Sequence, residues 1–128
     1  MKSLRRSALV LFLNQTNEEL RLDTQSQWPH QGKWSLGKEP PSFILAGGGA
    51  LWQSESAGVG CGTSGSITYR IVGGAPEQMV VTSWKVPYFR RNSYQGSVTM
   101  KEFDIEVQGG KGRHCIVVFI FRSAAACN

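Results

Sequence analysis

Residues 66–71 read SITYRI, with Ile67, Tyr69 and Ile71 on one face and Ser66, Thr68 and Arg70 on the other. Strict period-two alternation marks a half-buried strand, because only an extended chain sends successive side chains to opposite sides. An aromatic-polar strand, residues 51–56, precedes it, and residues 58–65 between them are rich in glycine. Gly60, Gly62 and Gly65 also fit G-x-G-x-x-G. That fingerprint needs a helix after it to hold a pyrophosphate, and here a strand follows, so a nucleotide site is rejected. Gly62 and Gly65 are read instead as structural bend glycines, with backbone angles or close contacts that a Cβ would disturb.

Strand and turn signals recur along the chain. Residues 8–13 read as a first strand that turns at 15–18 and returns through 20–22. A loop over 25–41 holds Trp28, His30, Trp34 and three prolines. A short strand at 42–45 and a glycine turn at 46–49 lead back to the Trp52 strand. Residues 67–72 and 78–84 form a hairpin across Gly73, Gly74, Ala75 and Pro76. Phe103, Ile105 and Val107 alternate with Glu102, Asp104 and Glu106, and Gly109, Gly110 and Gly112 mark the last hairpin. Residues 115–121, CIVVFIF, are apolar at every position and predict a central strand buried on both faces. Residues 123–128 predict a frayed end. No apolar stripe has helical spacing. Eight to ten strands with turn signals at short intervals predict an all-β antiparallel β-sandwich, one domain over 1–128 with its core at about 8–122.

The net charge of +5 suits an anionic surface, either lipid head groups or nucleic acid. The cations are scattered with no basic helix or RNA-binding aromatic signature, so no nucleic-acid partner is expected. Three cysteines, Cys61, Cys115 and Cys127, make no disulfide framework and no zinc spacing. Synthesis in a reducing compartment is expected, with neither metal nor cofactor. The N-terminal MKSLRRSALVLFL imitates a signal peptide, but turn residues replace a cleavage site. A soluble chain made without a cleaved signal peptide is expected. There is no G-x-S-x-G elbow, and the Glu102, Asp104 and Glu106 row reads as a solvated face. No enzyme is expected.

Two stretches remain as candidate binding elements. Residues 85–94, KVPYFRRNSY, mix rings and cations around a proline. Proline stiffens the loop, Tyr88 and Phe89 offer apolar area, and Arg90 and Arg91 offer forks that match phosphate oxygens. Such a loop can seat rings at a bilayer interface with its cations at the head groups. Trp34 is a second candidate, in the long loop. An alternative is a carbohydrate-binding lectin, with Trp52 as the sugar platform and Gln53 and Glu55 as polar partners.

A family pattern runs through these residues: the asparagine turn after the first strand, Gly32-Lys33-Trp34, and Glu55-Ser56-x-Gly58. It continues with Gly62-Thr63-x-Gly65 leading into Ile67-x-Tyr69, then Val86-Pro87-Tyr88, then Phe103-Asp104-Ile105 and Gln108-Gly109-Gly110-x-Gly112. In order and spacing this resembles the aegerolysins, most closely the small aegerolysin-like subunit of bacterial binary insecticidal crystal proteins. The resemblance spans about residues 9–122. Actinoporins and fungal fruit-body lectins share the G-T-x-G strand entry and the sandwich. The resemblance implies a pore-forming toxin component, insecticidal or cytolytic, that binds a membrane lipid and acts with a larger pore-forming partner protein. It implies action outside the producing cell, at the target membrane, on a sphingolipid or an anionic head group; a homo-oligomer is compatible with it. By position Trp34 matches a loop tryptophan of the family. Tyr88 stands where fungal members carry tryptophan after proline, and Arg91 falls near a family lysine. Cys61 departs from the acidic residue that fungal members carry before G-T-x-G, and the tryptophan that opens fungal chains is absent.

Overall fold

The computed structural model describes residues 5–26 and 29–124, so Lys2, Trp28, Cys127 and most of the expected frayed end lie outside the described residues. Among the described residues ten strands form: β1 (Ser7–Asn14), β2 (Leu20–Leu22), β3 (Lys33–Trp34), β4 (Phe43–Ile44), β5 (Gly49–Glu55), β6 (Thr63–Ile71), β7 (Met79–Val86), β8 (Ser93–Val98), β9 (Phe103–Gly109) and β10 (His114–Ser123). Among the described residues the only helical element is a 3-10 turn, Thr24–Ser26.

The strands make two five-stranded sheets, β3-β5-β1-β10-β9 and β4-β2-β6-β7-β8. All pairings are antiparallel except β1 with β10, which run parallel, Ser7 opposite His114 through Asn14 opposite Phe121. The inner faces close on one core. Val10, Phe12, Trp52, Phe119 and Phe121 from the first sheet meet Ile67, Tyr69, Val80, Trp84 and Val86 from the second, all essentially inaccessible to solvent. Rings run through this core at centroid spacings of 5.1 to 6.4 Å, from Phe103 through Phe121, Phe12 and Trp52 to Trp84 and Trp34. The spacing and tilt suit aromatic pairs, whose edges and faces carry opposite partial charge.

Several polar groups inside the core are matched, although the buried Trp52 Nε1 and Ser35 Oγ find no partner among the described residues. Trp84 Nε1 donates to Ser54 Oγ at 2.8 Å, and Tyr69 Oη donates to the Pro41 carbonyl at 2.6 Å. Burial raises the Tyr69 phenol well above its ordinary pKa, so it stays a neutral donor. Buried Asn14 is the corner post at the end of β1. Its Nδ2 donates to the carbonyls of Glu18 and Leu45, and its Oδ1 accepts from the Thr16 amide and hydroxyl.

Three expectations change. The turn after β1 does not return beside it: β1 and β2 lie in different sheets, and Asn14 stitches the crossing. The glycine-rich stretch is likewise a crossover, since β5 and β6 lie in different sheets, and β6 already begins at Thr63. Gly65 is therefore a strand residue. Finally, β10 is interior to its sheet but covered on one face only. Cys115, Val117, Phe119 and Phe121 point inward, while Ile116 on the outer face is 51% exposed. Period two assigns the faces, and among the described residues no helix covers the outer one.

Candidate lipid-binding site

One end of the sandwich gathers the start of β1, the β5–β6 crossover, the β7–β8 loop and the β9–β10 turn. The β7–β8 loop, residues 87–92, carries the basic-aromatic run. Arg6 braces it, donating from Nη2 to the Tyr88 carbonyl at 2.9 Å with its guanidinium 4.3 Å from the Tyr88 ring centroid. That cation–π contact holds Tyr88 half-buried. Phe89 meets Tyr88 edge to face at 4.6 Å and is 91% exposed. Apart from that contact, a ring this exposed buries little area within the fold.

The β9–β10 turn forms the opposite wall. Asn92 Nδ2 donates to the Gly112 carbonyl at 3.0 Å, and Tyr94 Oη donates to the Gly110 carbonyl at 2.8 Å. Burial, with Cys115 beside it, raises the Tyr94 phenol above its ordinary pKa, so it too remains a neutral donor. Between the walls lies an open cleft of about 750 Å³. Its cations are Arg6, Arg90, Arg91, Lys111 and Arg113, its rings are Tyr88, Phe89 and Tyr94, and among the described residues no carboxylate lines it. Guanidinium groups bind phosphate through paired donors, and a cleft without acids does not offset their field.

The two bend glycines underlie this end by contact. Neither has positive φ; the crossover's positive φ is at Gly60. A Cβ on Gly62 would sit 2.6 Å from the Val86 carbonyl oxygen and 2.9 Å from Pro87 Cα, so the root of the β7–β8 loop rests on Gly62. A Cβ on Gly65 would sit 2.5 Å from Trp84 Cζ2, because the indole lies across its cross-strand glycine. Gly62→Ala and Gly65→Ala are each expected to cost about 1–3 kcal/mol through overpacking. Gly62→Ala should also displace the β7–β8 loop, read as lost protection of its amides in hydrogen exchange. Unchanged melting temperatures for both variants would contradict these contacts.

Tyr88, Phe89, Arg90 and Arg91 therefore come together in one cleft, but Trp34 does not join them. Its ring packs 5.9 Å from Trp84 at the edge of the core, half-buried, and it does not line the cleft. Trp52 is fully buried, which removes the sugar platform expected of it with Gln53 and Glu55. The acidic row is not free either: Arg122 Nε meets Asp104 Oδ1 and its Nη2 meets Glu106 Oε1, both at 3.1 Å. Hydrogen bonding from Gln108 and the Arg122 charge hold the Glu106 carboxyl below its usual range. Among the described residues no cluster of three or more His, Cys, Asp or Glu is placed to hold a metal ion.

Sequence reasoning missed Arg6, Tyr94, Lys111 and Arg113. Lys111 and Arg113 flank the last hairpin glycine, a signal that was there to read. Arg6 joins the site only because β1 pairs with β10, which aligns Ser7 with His114 and brings Arg6 beside Arg113.

No known protein-family model matches the chain, and no curated protein sequence matches it. Solved structures do. The chain is similar to the lipid-binding protein Nakanori, with a TM-score of 0.79 and 13% identity, over 91% of this chain and 71% of that one. It is similar to RahU, solved in complex with a TRIS molecule, with a TM-score of 0.75 and 15% identity, over 95% and 98% of the two chains. It is also similar to the Xerocomus chrysenteron lectin XCL, with a TM-score of 0.59 and 12% identity, over 91% and 99%. At these identities the likeness is one of fold: this chain adopts the β-sandwich fold of a group of proteins that includes a lipid-binding protein and a lectin.

Proposed function

We propose that this chain is a membrane-lipid-binding protein of the aegerolysin type that docks through the end built from residues 87–92, the β9–β10 turn and Arg6. The observation that carries the reading is the cleft, with five cations, no acid and a solvent-facing Phe89 at its mouth. Phe89 enters the interface between head groups and acyl chains, and the cations meet lipid phosphates. The shared fold with a lipid-binding protein supports this direction. The motif resemblance extends it: the chain serves as the small, non-catalytic, membrane-recognising component of a pore-forming toxin, acts on the outside of a target cell, and recruits a larger partner.

The test is co-sedimentation with vesicles of phosphatidylcholine alone, with added phosphatidylserine, and with sphingomyelin and sterol. Wild type should bind the anionic vesicles best, and binding should weaken with salt. Phe89→Ala combined with Arg91→Ala should cut binding about tenfold or more, on the basis of about 1 kcal/mol per basic side chain at an anionic surface, with the melting temperature preserved. Absence of binding to every composition, or binding that survives the double substitution, overturns the reading. The carbohydrate alternative keeps the likeness to XCL but has lost Trp52 to the core. Strong binding on a glycan array without lipid would favour it.

A further inference from the structure

The outer face of the first sheet is apolar across three adjacent strands. It presents Leu51 of β5, Leu9, Leu11 and Leu13 of β1, and Ile116, Val118 and Ile120 of β10. Their register makes the patch continuous: Leu51 lies beside Leu11 and Leu11 beside Val118, with Leu9–Ile116 and Leu13–Ile120 as the flanking rows. Leu13, Leu51 and Ile116 are 40%, 43% and 51% exposed. Exposed apolar patches of this continuity mark contact surfaces. The lipid-docking end does not use this face, and the proposal below does not depend on that function.

Charge selects the occupant. On the β9 side of the patch stand Asp104 and Glu106 with Arg122, a net charge of −1, and exposed Glu102 continues the same acidic row. On the β3–β5 side stand Lys33 opposite Glu55, and Lys38, whose Nζ reaches Gln53 Oε1 at 3.4 Å, a net charge of +1. A face with opposite signs on its two flanks and no net positive charge is not drawn to an anionic bilayer. It is complementary to itself. A two-fold axis parallel to the strands lays the aliphatic centre on its own copy and each basic flank over the other copy's acidic flank.

The size is adequate. Four strands of seven to ten residues and the two-residue β3, about 4.8 Å apart at about 3.3 Å per residue, give a projected face of roughly 540 Å². The accessible surface of a corrugated face is larger, close to the ~800 Å² per partner of a standard interface. We infer that this face is the contact of a homodimer, packed sheet on sheet with aligned strands. The same axis leaves the strand direction unchanged, so both Phe89 tips point the same way. Two docking ends then meet one membrane, which multiplies their binding without new contacts.

The experiment is sedimentation of the full chain in the absence of lipid, over a range of concentrations. The expected mass at tens of micromolar is twice the 14.1 kDa chain. Leu11→Glu should raise the dissociation constant about a hundredfold or more, because it buries an unpaired charge in an apolar contact. Leu51→Lys, at a more open position, provides a second variant, and circular dichroism checks the fold of both. Lys38→Glu should weaken the dimer, and adding Glu106→Lys to the same chain should restore it. A monomer at every concentration, or a dimer untouched by folded Leu11→Glu and Leu51→Lys, overturns the inference. Because no lipid is present, this outcome is separate from that of the vesicle test.

Discussion

Trp84→Ala is expected to destabilise the protein by about 4 kcal/mol, the range for truncating a fully buried large aromatic. Trp84 is 2% exposed, lies between the rings of Trp34 and Trp52, and donates its indole proton to Ser54. Marginal domain stability of about 5–15 kcal/mol makes this a large fraction of the total. For a chain of this length the melting temperature should fall on the order of 15 °C. Trp84→Phe should cost far less, since most of the packed area remains. The Gly65 contact adds a sharper check. Gly65→Ala is disfavoured because its Cβ meets the indole, so in the Trp84→Ala background that penalty should vanish. Additive effects of the two substitutions, measured by denaturant unfolding, would contradict the described packing.

The largest functional effect is expected from Arg91→Glu combined with Lys111→Glu, one from each wall of the cleft. A basic side chain at an anionic surface contributes about 1 kcal/mol, and each reversal counts twice, so affinity for phosphatidylserine vesicles should fall close to a thousandfold at low salt. Arg21→Glu with Lys101→Glu changes the net charge equally on other elements. Arg21 pairs opposite Arg70 near the β6–β7 turn, and Lys101 follows β8, both at the opposite end. That control pair should bind nearly as wild type does. Equal losses for the two pairs in a vesicle titration would mean that net charge, not the cleft, drives association.

Most of the strands were legible, but β3 lay unread in the long loop and β8 was not read as a strand. Ile67, Tyr69 and Ile71 announce β6 by alternation, and ten strands fall within the expected number. Alternation names a face and not a partner, so it is silent on which strands share a sheet. The parallel pairing of β1 with β10 joins residues about a hundred positions apart, and local pattern carries no trace of it. Trp52 was misread for a related reason. The inner face of β5 also carries Ser54, and Ser56 just beyond the strand is buried too, so polarity does not separate inside from outside there. Ser54 can lie inside because it accepts the Trp84 proton, a contact between sheets. The fully apolar run 115–121 predicted cover on both faces, and the fold supplies it on one. The cleft was half legible: residues 88–91 stand out as a run of rings and cations, while Arg6 enters from the far end of the chain.

The most direct measurement is an environment-sensitive fluorophore placed at Phe89→Cys in a chain where Cys61 and Cys127 are serine and Cys115 stays buried. A matched probe at Ala75→Cys reports on the exposed β6–β7 turn at the other end. On adding anionic vesicles, the probe at 89 should shift to the blue and become accessible to quenchers in the acyl region, while the probe at 75 should not change. A probe at 89 that stays in water while the protein binds, or a shift at 75 instead, would contradict docking through the basic-aromatic end.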